Sequence, residues 1–115
     1  MNTYTELTTI AQWEDVLEQT NTHPAFVFKH STSCPISAEA HEAYQTYVAQ
    51  NKEIPTYLVK VIETRDVSNA IEADTRIKHE SPQLLLLSNK EVVWHASHYD
   101  IKEDAILTAS ETVKK

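Results

Sequence analysis

A chain of 115 residues that is 41% apolar can bury one hydrophobic core without staples but has no room for two, so one domain over residues 1–115 is expected. The formal charge of -7 is spread along the whole length with no Lys/Arg stripe, which argues against nucleic acid as a partner. Glycine is absent, so no glycine-rich phosphate cradle exists, and any left-handed backbone position falls to Asn, Asp or a strained residue.

Met1 to Leu7 is polar and carries no basic segment leading into an apolar run, and the longest apolar stretch is Leu84 to Leu87. Neither feature suits a membrane, and a cytoplasmic protein is expected. Thr9 with Gln12 has the form of a capping box. Leu7, Ile10, Trp13 and Leu17 recur at helical spacing, which predicts a first helix over Thr9–Gln19. After the polar stretch Thr20–Pro24, the run Ala25–His30 suits a buried central strand.

That strand leads into Ser31-Thr32-Ser33-Cys34-Pro35. Proline is tolerated in a first helical turn, and Ile36, Ala40, Ala43, Tyr44, Tyr47 and Val48 continue with helical period, so Cys34 is expected at a helix N-terminus. Thr56–Ile62 reads as a second buried strand. Val67, Ala70, Ile71, Asp74 and Ile77 mark a third helix, and strand–helix–strand at this spacing implies a right-handed parallel crossover. Gln83–Leu87 and Glu91–His95 form a hairpin in which Asn89-Lys90 is the turn and Asn supplies the left-handed conformation. Asp100 with Glu103 resembles a helix start, and Ile101, Ala105, Ala109 and Val113 follow at four-residue intervals.

The order is α, βαβ, α, ββ, α: an α/β chain with a central mixed four-stranded sheet flanked by helices. The thioredoxin-like fold is one topology compatible with that order.

A single cysteine cannot close an internal disulfide, which agrees with a reducing compartment and leaves Cys34 as a buried spacer, a reactive thiol or a lone metal ligand. Free N–H groups and partial positive charge at a helix N-terminus favour the thiolate, the nucleophilic form. A good thiolate nucleophile in such a place is also a good leaving group, so a mixed disulfide on it can load and unload. Ser37 stands where a Cys-x-x-Cys pair would carry its second sulfur; its hydroxyl can hydrogen-bond a thiolate but cannot form a disulfide. Dithiol exchange within one chain is therefore excluded, and turnover must recruit another thiol molecule.

The plainer readings are a small buried hydrophobe for Cys34, a backbone-bonding helix-start residue for Ser37 and an ordinary strand-start proline for Pro82. His23, His30, His41, His79, His95 and His98 show no metal-ligand spacing and are expected to face solvent; no metal site is expected. Phe26, Phe28, Tyr44, Tyr57 and Trp94 are expected in the core, and Glu39 and Glu42 in water.

Thr32-Ser33-Cys34-Pro35-Ile36-Ser37 after a strand, with Ser81-Pro82 before a later one, resembles the monothiol bacilliredoxins over nearly the whole chain. The resemblance implies a thioredoxin-like fold and an oxidoreductase that removes the small thiol bacillithiol from proteins carrying it as a mixed disulfide. On that reading Cys34 is the nucleophile, and Thr32, Pro35, Ile36, Ser37, Ser81 and Pro82 line the substrate site. The Ser81-Pro82 bond would be cis and would turn the Ser81 backbone toward the substrate disulfide. No tightly bound cofactor is implied; bacillithiol is a co-substrate, and the partners are bacillithiolated proteins and a low-molecular-weight thiol. The competing expectations are a non-catalytic binding or adaptor module and a handler of iron–sulfur clusters through one cysteine.

Overall fold

The computed structural model describes residues 4–51 and 53–113. Its elements are β1 (Thr5–Glu6), α1 (Ile10–Gln19), β2 (Ala25–His30), α2 (Pro35–Gln50), β3 (Thr56–Lys60), α3 (Arg65–Thr75), β4 (Gln83–Ser88), β5 (Glu91–Ser97), a 3₁₀ turn (His98–Asp100) and α4 (Glu103–Val113). One mixed sheet runs in the order β1-β3-β2-β4-β5. β1, β3 and β2 are parallel, and β4 lies antiparallel to both β2 and β5.

The sheet has five strands rather than the expected four. The addition is β1, which pairs Thr5 with Tyr57 and Glu6 with Leu58. A strand of two residues carries no alternation to read, so only its partner reveals it. Leu7, counted in the apolar spacing that leads into the first helix, continues this edge: its N–H donates to Leu58 O at 2.8 Å, and its side chain is buried.

α1 begins where the capping box predicts. The Thr9 hydroxyl accepts the Gln12 N–H and Gln12 Oε1 accepts the Thr9 N–H, both at 3.1 Å. Trp13 and Val16 are buried, and Trp13 Nε1 donates to Asp74 Oδ2 at 2.8 Å, which ties α1 to α3. β3 stops at Lys60, two residues early, because the chain turns there: the Thr64 N–H returns to Lys60 O at 2.8 Å and leaves Ile62 exposed. α3 stops at Thr75 because Arg76 takes a left-handed conformation, so Ile77 lies outside the helix and packs half-buried beside it. α4 starts at Glu103 rather than Asp100, which closes a separate 3₁₀ turn.

Two apolar layers cover the sheet. Phe26, Phe28, Leu84 and Leu86 face α2 and α4 with Tyr44, Tyr47 and Ile106; Ala25, Val27, Leu85 and Leu87 face α1 and α3 with Trp13, Val67 and Ile71. Strands covered on both faces read as unbroken apolar runs, as β2 and β4 do. Of the aromatic residues expected inside, Phe26, Phe28 and Tyr44 are fully buried, whereas Tyr57 and Trp94 pack at the margins of the layers. Among the described residues no helix is long and apolar enough to cross a membrane.

Candidate functional site

β2 delivers the chain to the end of the sheet, and the loop Ser31–Cys34 carries it into α2. The Cys34 N–H donates to Ser31 O at 3.3 Å, and Cys34 O accepts the Ala38 N–H at 3.0 Å. Cys34 is the N-cap residue, extended at φ -106° and ψ 123°, with Pro35 in the first turn. Its thiol is half-buried and free of any disulfide. Cys34 therefore stands part-exposed at the N-terminus of α2, where the local sequence places it.

Ser37 is completely buried, and its hydroxyl bonds the end of β2 twice. It accepts the Ser31 N–H at 2.9 Å and lies 2.7 Å from His30 Nδ1. The two bonds pin the first turn of α2 to the last residues of β2, so the loop that carries Cys34 has both ends fastened. Ser37 thus shapes the site through the backbone.

His30 and His41 correct the expectation that the histidines face solvent: His30 is 7% exposed and His41 half-buried. Their rings stack at 4.4 Å, Phe28 stacks on both, and Tyr4 Oη sits 2.9 Å from His41 Nε2. Burial first, and then the neighbouring His41, push His30 down to about 4; burial also lowers His41. Both imidazoles are neutral at neutral pH, and the His30–Ser37 contact is a hydrogen bond in either tautomer.

Thr32 is exposed and donates from Oγ1 to Glu63 Oε2 at 3.0 Å, across to the turn after β3. The Glu63 carboxyl is held below its usual range, first by its own backbone N–H and then by Thr32. Pro35 is exposed and Ile36 half-buried beside the sulfur-bearing residue. Ser81 and Pro82 arrive from a distant part of the chain. The antiparallel register pairs Lys29 with Gln83, which brings Pro82 to the same sheet end from which the Cys34 loop departs. The Ser81-Pro82 bond is cis, Pro82 is buried, and Pro82 O accepts the His98 N–H at 3.0 Å.

The residues that sequence reasoning overlooked are Lys29, His30, His41 and Glu63. A signal for His41 was present, since Ser37, His41 and Tyr44 fall on one face of α2 at helical spacing. His30 alternates with Phe26 and Phe28 on β2, so the same rule that assigned those two to the core assigns it there as well. Among the described residues, no group of three His, Cys, Asp or Glu side chains gathers as a metal site.

A sheet of this order with a lone cysteine at the N-cap position of the helix after its central strand defines a thioredoxin-fold monothiol protein. A solved structure assigned as an oxidoreductase with a thioredoxin fold is 36% identical, with 93% of each chain covered and a TM-score of 0.83. Thioredoxin h of Nicotiana alata (14% identical, 99% of this chain and 95% of that one, TM-score 0.80) shares the fold. So does thioredoxin of Fasciola hepatica (13%, 96% and 99%, 0.76). The model of the monothiol bacilliredoxin BrxC family matches residues 5–106, and the chain belongs to that family. Family and fold together make it a thiol redox oxidoreductase.

Proposed function

We propose that this chain removes bacillithiol from S-bacillithiolated proteins by monothiol exchange at Cys34. The observation that carries the reading is the pairing of an accessible N-cap thiol at Cys34 with a hydroxyl at Ser37, locked onto the strand end, where a resolving sulfur would stand.

The Cys34 thiolate attacks the bacillithiol sulfur of the mixed disulfide. A new S–S bond forms to Cys34, the old one breaks, and the protein sulfur leaves as a thiolate that takes a proton from water. A second small thiol then attacks the bacillithiol sulfur on Cys34, releasing a low-molecular-weight disulfide and restoring the thiolate. One disulfide is exchanged for another in each step, and no bound cofactor takes part. Thr32, Pro35 and Ile36 frame the sulfur on one side, Ser37 holds that turn in place from within the core, and Ser81 and Pro82 offer the facing edge on which the substrate disulfide lies. The partners are bacillithiolated proteins and a low-molecular-weight thiol, in a reducing compartment such as the cytoplasm, which suits a chain with one unpaired cysteine.

Mixing the purified chain with a bacillithiolated protein and following intact masses tests this directly. The adduct moves onto Cys34 in a one-to-one transfer, and Cys34→Ser accepts none. Retention of the adduct by the substrate protein in the presence of the native chain would refute the proposal.

A further inference from the structure

Lys29 is the least expected residue in the core. It lies on the central strand, completely buried, with its amine against the α3 side of the sheet and no hydrogen-bond partner. A buried ammonium without a close partner is costly, and an apolar residue of the same length serves stability better, so the amine calls for another explanation.

Its surroundings supply one. Lys29 is the cross-strand partner of Gln83, so the two side chains project from the same face of the sheet. Gln83 Nε2 donates to Lys78 O at 3.0 Å, and Glu72 Oε2 accepts the His79 N–H at 2.9 Å. These two side chains anchor the segment between α3 and β4, the one that ends in Ser81-Pro82. Lys29 stands opposite the first and is electrostatically coupled to the second. Gln83 Oε1 and Ser81 Oγ are buried acceptors, likewise without a hydrogen-bond partner, at the same end of β4.

We propose that Lys29 is a positioning residue for the Cys34 site, acting through Glu72 and Gln83 to set where the Ser81-Pro82 edge stands. The inference rests on the exchange reaction proposed above. The titratable groups facing the amine are Glu72 from α3 and His79 from the segment itself, with Arg65 beside His79. Burial lowers Lys29 to about 8, against the opposing pull of Glu72, so the amine is charged below that pH and neutral above it. The edge is therefore sensitive to pH in a range where the histidines of the site are already neutral.

The test uses the full chain and two readouts on Cys34. Alkylation by iodoacetamide needs only the sulfur, whereas exchange with a bacillithiolated protein also needs the Ser81-Pro82 edge. For Lys29→Met, alkylation at pH 7 stays within about twofold of the native chain, while exchange slows on the order of tenfold, as a displaced positioning group produces. The ratio of exchange to alkylation in the native chain changes with a midpoint near 8, and Lys29→Met abolishes that limb. Glu72→Gln keeps an acceptor for the His79 N–H but removes the charge, and it moves the midpoint to lower pH. A Lys29→Met chain whose exchange equals the native rate, or whose exchange and alkylation fall in parallel, overturns the inference while leaving the exchange reaction standing. A native chain that alkylates but never exchanges overturns the reaction itself, and this inference with it.

Discussion

Ser37 illustrates how one buried hydroxyl fastens the turn that carries a neighbouring thiol. It satisfies the Ser31 N–H and the His30 ring at once, so Ser37→Ala strands two buried polar groups in a single change. An unsatisfied buried donor costs about 1–3 kcal/mol, and urea unfolding of Ser37→Ala should show a loss in that range. Adduct transfer to Cys34 should slow by more than the stability loss explains, because the loop from Ser31 to Cys34 is released at one end. A variant as stable as the native chain would show that the two bonds do not contribute. The aromatic stack behind Ser37 adds support, since Phe28, His30 and His41 pack face to face and leave the histidine little freedom to turn.

At the level of elements, the absence of glycine has a visible price. Arg76, Asn89, Lys90 and His98 all adopt positive φ, at 62°, 54°, 65° and 54°. At Asn89-Lys90 the strain serves the hairpin, because two consecutive left-handed residues match the twist of the flanking strands. Thr20 fixes that tip, its carbonyl accepting the Asn89 N–H at 2.7 Å and its hydroxyl the Lys90 N–H at 2.9 Å. At Arg76 the left-handed residue ends α3, and its N–H closes on Glu72 O at 2.8 Å. A side chain in that conformation costs roughly 1–2 kcal/mol, of which glycine recovers part against its own greater freedom when unfolded. Arg76→Gly should therefore stabilise the chain by about 0.5–1 kcal/mol in urea titration; a destabilised variant would mean that the arginine side chain contributes more than its backbone strain removes.

For the molecule as a whole, buried bases decide the acid side of the stability profile. His30 titrates near 4 in the folded chain against about 6.5 when free, and His41 and His79 are lowered in the same direction by burial. Between those two pH values the unfolded chain binds more protons than the folded one, so stability falls as pH drops from about 6.5 toward 4. His30 alone accounts for a loss on the order of 3 kcal/mol across that window. Urea midpoints at pH 7 and pH 4.5 should differ accordingly, and His30→Phe, which keeps the stack, should narrow the difference. Equal slopes for the two chains would assign the acid loss elsewhere. Glu63 is exposed and Glu80 is half-exposed, and their lowered carboxyls contribute little under ordinary salt.

By itself the sequence determined what local chemistry determines. The Thr9–Gln12 box starts α1, Pro35 opens α2 directly after Cys34, Asn89-Lys90 turns the hairpin, and the apolar runs of β2 and β4 announce strands covered on both faces. Each of these depends on neighbours within a few residues, so each can be read in order along the chain. Tertiary structure alone decided the rest. The two-residue β1 exists only through its pairing with β3, and His30 meets Ser37 and His41 only because α2 folds back over β2. Lys29 comes to stand beside Gln83 only through the register of β2 against β4. Long-range register sets those contacts: periodicity along β2 and α2 marks His30 and His41 as inward-facing, but it does not say which partners they meet.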